Sequence, residues 1–119
     1  MDWIGLTKES QLADIKEQSK NKPQLIFKHS TRCAISSVAK NRLEKSTPPE
    51  NVDFYLLDLI RNREISNKIA DEFSVFHESP QVLLIKNGEC IYDENHSGID
   101  MNDIKVQATL FHCFGCKVH

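Results

Sequence analysis

Apolar residues in this 119-residue chain follow two patterns, short continuous runs and longer segments with a repeat of three or four residues. The continuous runs are typical of buried strands, and they predict strands at 24–29, 52–58, 81–85 and 89–92. The longer repeat is typical of helices with one apolar face, and it predicts helices at 7–20, 33–45, 62–73 and 100–111. The predicted order of elements is therefore α, β, α, β, α, β, β, α.

Local signals mark the ends of several elements. Thr7, Asn62 and Asp100 have side chains that commonly cap helices, and each precedes a helical segment. Asn87-Gly88 is the strongest short-range signal for a β-hairpin, and it joins the last two predicted strands. These signals predict three helix starts and one antiparallel strand pair.

The order of elements predicts a mixed sheet. Helices between successive strands imply parallel pairs, whereas the closing hairpin implies an antiparallel pair. A mixed central sheet with helices on both faces, in the α/β class, and a cysteine at the helix after a strand make up the layout of the thioredoxin-like fold. That fold also places a cis-proline before a later strand, against the reactive sulfur. Pro80, after Ser79, is the candidate, and the alternative is an ordinary trans proline that starts a strand.

Cys33 is the candidate reactive residue because it lies where a predicted strand ends and a helix begins. The unpaired N–H groups and partial positive charge of a helix N-terminus stabilise a thiolate. Arg32 and His29 could add positive charge nearby, which would prepare the thiol for attack on a disulfide. The alternative is a small buried hydrophobic residue. The repeat that predicts this helix and its apolar face consists of Ile35, Val38, Ala39, Arg42 and Leu43.

Ser36 stands three residues after Cys33, at the position where a Cys-x-x-Cys motif would have its second cysteine. Its hydroxyl could cap the helix or donate a hydrogen bond to the thiolate, but it cannot form a disulfide. Thiol chemistry at this site would therefore be monothiol chemistry.

Composition excludes several classes of protein. The 15 Lys and Arg residues nearly balance the 17 Asp and Glu residues, so the net charge of −2 suggests neither a nucleic-acid surface nor a polybasic membrane anchor. We see no signal peptide and no apolar stretch of about 20 residues that could span a bilayer. The four cysteines are spaced unlike a secreted disulfide framework. We therefore expect a cytoplasmic protein with reduced thiols and with neither nucleic-acid nor membrane partners.

Two segments of the chain resemble a known family. Residues 28–36, Lys-His-Ser-Thr-Arg-Cys-Ala-Ile-Ser, and residues 77–81, His-Glu-Ser-Pro-Gln, resemble the segments around the active-site cysteine and the cis-proline of the YtxJ family, the monothiol bacilliredoxins. The resemblance covers about residues 5–110. One departure is Ala34, where the family usually has a proline that presets the first helical turn.

The resemblance implies a thiol–disulfide oxidoreductase that acts on mixed disulfides between protein cysteines and bacillithiol, a low-molecular-weight thiol. The thiolate of Cys33 would attack the mixed disulfide, release the client protein and carry the small thiol until a second one regenerates it. Client proteins and the small thiol are the expected partners, and no cofactor is expected. The expected residues that contact substrate or tune the thiolate are His29, Arg32, Ser36, His77, Ser79 and Pro80.

Residues 112–119 form a short tail after the predicted domain at 1–111. Cys113 and Cys116 have Cys-x-x-Cys spacing between His112 and His119, and these are ligand types that zinc prefers. A redox disulfide or a resolving thiol would use the same residues. We expect no metal elsewhere in the chain, and we expect Cys90 to pack in a strand.

Two alternative functions stay open on the sequence alone. A non-catalytic thioredoxin-like module could bind a partner while Cys33 stays inert. A metal-binding regulator could instead be built on the Cys-x-x-Cys of the tail.

Overall fold

The computed structural model describes residues 1–109. The predicted strands and helices within this range are present, and their bounds lie close to the predicted ones. In chain order the elements are β1 (Ile4–Gly5), α1 (Ser10–Gln18), β2 (Gln24–His29), α2 (Ala34–Lys45), β3 (Asp53–Asp58), α3 (Arg63–Phe73), β4 (Gln81–Lys86), β5 (Glu89–Asn95), a 3-10 turn (His96–Gly98) and α4 (Met101–Thr109). The strand β1 was not predicted, because two residues are too short to show a pattern.

Within residues 1–109 the strands form one five-stranded sheet in the order β1-β3-β2-β4-β5. The pairs β1–β3 and β2–β3 are parallel, whereas β2–β4 and β4–β5 are antiparallel. The predicted mixed sheet is therefore confirmed, but the parallel pairing expected across α3 is wrong, because β4 runs antiparallel to β2. The predicted hairpin is confirmed too, since Asn87 and Gly88 adopt the positive φ angles, 54° and 77°, that a type I′ turn requires.

Helices cover both faces of the sheet, with α1 and α3 on one face and α2 and α4 on the other. Successive side chains of a strand point to opposite faces. In β2, Ile26 packs with α1 and α3, whereas Leu25 and Phe27 pack with α2 and α4. The last two residues of β2, Lys28 and His29, therefore reach opposite faces of the sheet.

The predicted N-cap at Thr7 is wrong, because α1 begins at Ser10 with Glu9 as its N-cap. The side chain of Gln11 accepts hydrogen bonds from the backbone N–H groups of Thr7 and Lys8 at 2.8 and 3.0 Å. These bonds hold the two residues in a turn outside the helix. Asn62 occupies the N-cap of α3 as predicted, although its side chain makes no capping hydrogen bond.

The predicted apolar face of α2 is wrong at two of its four apolar positions. Ile35 and Val38 are 57% and 56% exposed, whereas Ala39 and Leu43 are buried. The buried face also contains Ser36, whose side chain is fully buried. A polar residue therefore occupies the inward position in the first turn, and the two β-branched residues beside it face outward.

Candidate functional site

The site lies at the end of the sheet where β2 ends and β4 begins. Lys28 pairs with Gln81 at the last register position of these antiparallel strands. Two residues therefore lie on segments that meet at this end of the sheet, Cys33 on the segment that leaves β2 and Pro80 on the segment that enters β4. The Ser79–Pro80 peptide bond is cis, which confirms the predicted cis-proline.

Cys33 is the N-cap residue of α2, with extended backbone angles of −106° and 117°. Its N–H donates to the carbonyl of Ser30 at 3.1 Å, and its own carbonyl accepts from the N–H of Ser37 at 3.1 Å. The side chain is partly exposed and its thiol is free. The prediction that Cys33 lies at a helix start is confirmed, and its side chain makes no capping hydrogen bond to the first turn of α2.

Ser36 points inward and binds the loop between β2 and α2. Its Oγ lies 2.6 Å from Nδ1 of His29 and accepts a hydrogen bond from the N–H of Ser30 at 3.0 Å. Neither predicted role of this hydroxyl appears among its contacts in residues 1–109, since Cys33 takes the cap position and the described partners of the hydroxyl are His29 and Ser30. Ser36 instead ties the chain on both sides of Cys33 together.

His29 is buried, and its ring lies beside Phe27 with 5.7 Å between ring centroids. Burial lowers the pKa of His29 below its usual value, and the charge of Lys40 lowers it further, while Asp58 and Glu44 oppose the shift. The ring is therefore neutral at neutral pH. The positive charge predicted at this position is absent, because a buried imidazole loses its hydration when it is protonated.

Arg32 is exposed and is the cationic side chain beside Cys33 in the sequence. A guanidinium stays protonated at every physiological pH. Of the two residues predicted to add positive charge beside Cys33, Arg32 is cationic and His29 is neutral.

His77 lies on the other side of the sheet, on the segment that leads into β4. Its Nδ1 lies 3.4 Å from Nζ of Lys28 and 3.1 Å from Oγ of Ser66. Burial lowers the pKa of His77, the charges of Lys28 and Arg63 lower it further, and Glu78 opposes the shift. The ring is neutral at neutral pH, and its Nδ1 faces the Lys28 ammonium, which can only donate, so the ring proton is assigned to Nε2.

Lys28 and Ser66 are site residues that we did not predict. The Lys28 side chain is fully buried, and its ammonium donates to the carbonyl of Ser66 at 3.3 Å. A lysine inside an apolar strand is unusual, and this is the one signal in the sequence that could have identified it. The proximity of Ser66 to His77 has no sequence signal, because it depends on how α3 packs beside the loop.

Ser79 and Pro80 present polar atoms at the same end of the sheet. The Oγ of Ser79 is buried and has no hydrogen-bond partner within residues 1–109. The carbonyl of Pro80 accepts from the N–H of His96 at 3.1 Å. The Ser79 hydroxyl is therefore a buried polar group without a described partner.

Cys90 differs from Cys33 in its surroundings. Its side chain packs against the core between the sheet and α1 and α3, which confirms the predicted packing role. Burial raises the pKa of Cys90 to about 12, with a further contribution from the charge of Asp93. A thiol that stays protonated is a poor nucleophile, so Cys90 is unsuited to the chemistry of the site.

Residues 1–109 contain no cluster of three or more His, Cys, Asp or Glu side chains that could hold a metal ion. In the same range, no helix is long and apolar enough to cross a membrane. The candidate zinc ligands His112, Cys113, Cys116 and His119 lie outside the described residues, so zinc binding by the tail stays a prediction.

Several known proteins are similar to this chain. A family model described as monothiol bacilliredoxin BrxC matches residues 4–104. A solved structure described as a candidate oxidoreductase with a thioredoxin fold is 31% identical, with a TM-score of 0.77, and the match covers 87% of this chain and 91% of that chain. The thioredoxin of Malassezia sympodialis, Mala s 13, is 19% identical with a TM-score of 0.70, over 91% of this chain and 89% of that chain. The thioredoxin of Trypanosoma brucei brucei is 14% identical with a TM-score of 0.69, over 89% and 87%.

The two thioredoxins show the fold alone, and they confirm the predicted thioredoxin-like fold of the α/β class. The family match confirms the resemblance that residues 28–36 and 77–81 carry. The family match and the oxidoreductase structure that is 31% identical together support thiol–disulfide exchange as the reaction class. The chain belongs to the monothiol bacilliredoxin family and is a thiol–disulfide oxidoreductase with a thioredoxin fold.

Proposed function

We propose that this protein reduces mixed disulfides between protein cysteines and a low-molecular-weight thiol of the bacillithiol type, with Cys33 as the nucleophile. The observation that carries the proposal is that Cys33 lies at the N-cap of α2, while serine and not cysteine stands three residues later, at position 36. The Ser36 hydroxyl is held by His29 and Ser30. Once Cys33 carries the small thiol, its own motif offers no second cysteine to release it. An external thiol must therefore complete the reaction.

The reaction consists of two thiol–disulfide exchanges. In the first, the Cys33 thiolate attacks the small-thiol sulfur of the mixed disulfide, and the bond to the client cysteine breaks. The client leaves as a thiolate that takes a proton from solvent, while Cys33 becomes disulfide-bonded to the small thiol. In the second, the thiolate of another small thiol attacks the small-thiol sulfur of that adduct, and the bond to Cys33 breaks. A symmetrical low-molecular-weight disulfide leaves, and the Cys33 thiolate is restored. Neither exchange requires a cofactor.

The surrounding residues have separate parts in this proposal. The N-terminus of α2 and the guanidinium of Arg32 stabilise the thiolates that form at Cys33. The backbone of the Ser79–Pro80 segment, where the peptide bond is cis, contacts the bound small thiol or client peptide. His29 and His77 are neutral and act through hydrogen bonds. His29 orients the loop before α2 through Ser36, and His77 orients the segment before β4 through Lys28. The reducing cytoplasm is the compartment that we propose, because the described thiols are free and the catalytic cycle consumes a reduced thiol.

The test compares Cys33→Ser with Cys90→Ser on a model client protein that carries bacillithiol as a mixed disulfide. Release of the client thiol measures kcat/KM. Cys33→Ser should lower it by about 10³-fold or more because the nucleophile is gone, whereas Cys90→Ser should keep it within about threefold. A Cys113→Ser/Cys116→Ser variant is the control for the tail. Near-normal activity of Cys33→Ser, together with loss in the tail variant, would contradict the proposal.

Mass spectrometry distinguishes the small thiol that Cys33 accepts. The protein is exposed separately to the disulfides of bacillithiol and of glutathione, and the adducts are located by peptide mapping. One bacillithiol adduct on Cys33 is expected. A faster or more complete glutathione adduct would reassign the co-substrate, and an unmodified Cys33 would favour the non-catalytic binding module.

A further inference from the structure

The buried ammonium group of Lys28 lies next to the segment that leads to Pro80. Lys28 has no exposed surface, and its Nζ donates to the carbonyl of Ser66 at 3.3 Å and lies 3.4 Å from Nδ1 of His77. Within residues 1–109, Lys28 forms no ion pair with a carboxylate. Its described polar partners are therefore one carbonyl and one neutral ring.

The surroundings of Lys28 disfavour its charged form. Burial lowers the pKa of Lys28 to about 8, and the thiol of Cys90 on β5 opposes the shift. The other charged groups that act on His77 are Arg63 from α3 and Glu78 from the loop. A buried cation without a counter-ion destabilises a fold, and groups of this kind concentrate at functional sites. The stability of the core therefore gives no reason for a lysine at this position.

The segment from Phe76 to Pro80 is held by polar contacts rather than by apolar packing of its first side chain, because Phe76 is 95% exposed. The side-chain amide of Gln81 donates to the carbonyl of Phe76 at 2.9 Å, and Lys28 contacts the ring of the next residue, His77. Lys28 and Gln81 are direct partners across the β2–β4 ladder, so their side chains lie on the same face of the sheet. Two neighbouring side chains of the sheet thus hold two consecutive residues of the segment.

We propose that Lys28 is a positioning residue for thiol exchange, which holds the Phe76–Pro80 segment through His77 at the end of the sheet where Cys33 reacts. The inference rests on the proposed function, since that function requires the segment to contact the bound disulfide. Lys28 then governs how well the mixed disulfide binds, while the nucleophilic reactivity of Cys33 depends on the N-terminus of α2. Lys28 touches neither reacting sulfur.

The test uses Lys28→Met, which keeps the length of the side chain and removes the ammonium. Lys20→Met is the matched control, because Lys20 lies outside the site and pairs with Glu17 at the surface. Four quantities are measured: kcat and KM with the mixed-disulfide client, the alkylation rate of Cys33 by iodoacetamide, the melting temperature, and amide hydrogen exchange at residues 77–79. Since Lys28 acts through His77, the single variant His77→Phe and the double variant complete the set.

Lys28→Met should raise KM by about tenfold, because a small displacement of a positioning segment weakens productive binding. The alkylation rate should stay within about twofold, and the melting temperature should stay the same or rise, because an unpaired buried charge has been removed. His77→Phe should raise KM to a similar extent, and the double variant should lose no more than either single variant. Lys20→Met should match the wild type in every measurement.

Several results would overturn the inference. A wild-type KM in a folded Lys28→Met protein would show that Lys28 has no part in the reaction. Additive losses in the double variant would show that Lys28 does not act through His77. If Lys28→Met does not fold, the KM of His77→Phe decides, and a wild-type value rejects the inference. If the wild type itself reduces no mixed disulfide, the proposed function fails, and unchanged hydrogen exchange at residues 77–79 in Lys28→Met would reject positioning separately.

Discussion

Lys28 and His29 are consecutive residues of β2, yet they hold different segments of the site on opposite faces of the sheet. His29 binds Ser36, whose hydroxyl also binds the N–H of Ser30, and this network holds the loop that leads to Cys33. Lys28 contacts the ring of His77 and so holds the segment that leads to Pro80. One strand end therefore aligns both segments that the reaction needs.

The two networks differ in charge and in their effect on stability. The network of His29, Ser36 and Ser30 is neutral, and each hydrogen bond within it stabilises the fold by about 1 kcal/mol. Lys28 is a buried cation whose pKa falls to about 8 through burial, so its charged form destabilises the fold at neutral pH. The loop of Cys33 is therefore fixed by contacts that favour folding, whereas the segment of Pro80 is fixed by a group that opposes it.

The largest effect on this comparison is expected from Ser36→Ala. The change leaves the partly buried N–H of Ser30 and the buried ring of His29 without their partner, which should lower the free energy of unfolding by about 2 kcal/mol. Urea denaturation measures the loss, and Ser37→Ala, at the next position in α2, should stay within about 0.5 kcal/mol of the wild type. Equal losses in the two serine variants would mean that the network does not stabilise the loop.

A smaller effect is expected in the dependence of stability on pH. The pKa of Lys28 is lowered from 10.5 to about 8 in the folded protein, so the unfolded chain binds the proton more tightly. The penalty is fully present below the folded value and disappears as the pH rises toward 10.5. The stability of the wild type relative to Lys28→Met should therefore rise by about 1 kcal/mol between about pH 7 and about pH 9.

Cys90 acts in the opposite direction in the same experiment. Its pKa rises from 9.0 to about 12 on folding, so its contribution to stability is lost as the pH increases above 9.0. Both proteins in the comparison contain Cys90, so its contribution largely cancels in the difference between their unfolding free energies. A difference that does not change with pH would show that Lys28 is not held as a destabilised cation.

The smallest effect is expected from Ala34→Pro, which alters only the Cys33 side. Ala34 is the first residue of α2, and the extended backbone of Cys33 matches the conformation that a residue before proline adopts. The substitution should raise the free energy of unfolding by about 0.5 kcal/mol, because proline restricts the unfolded chain. The Cys33 alkylation rate should change by less than about twofold. A lower melting temperature would show that the backbone at the start of α2 cannot accommodate a proline without strain.

The strands and the hairpin could be predicted because their signals are local. Asn87 and Gly88 are residues that tolerate positive φ, and both adopt it. The strand β1 and the start of α1 could not be predicted in the same way. The first is two residues long, and the second depends on the side chain of Gln11 holding the backbone of Thr7.

The site could be predicted only in part. Cys33 and Pro80 stand at the ends of predicted elements, so their positions follow from local patterns. The polar contacts of Lys28 do not follow from a local pattern. All of β2 is buried, so its sequence shows no alternation of polar and apolar residues that would distinguish its two faces. The spacing of Ser36 predicts a contact with the sulfur, but its hydroxyl is bound by His29 and by the N–H of Ser30.

The opposite directions of Lys28 and His29 also limit how the chain can change in length. Adding or deleting one residue in β2 ahead of Lys28 would exchange the faces that the two side chains reach. The ammonium would then point toward α2 and the imidazole toward α3, so neither segment would have its partner. The number of residues between Pro23 and Lys28 is therefore as important to this enzyme as the identity of the two residues themselves.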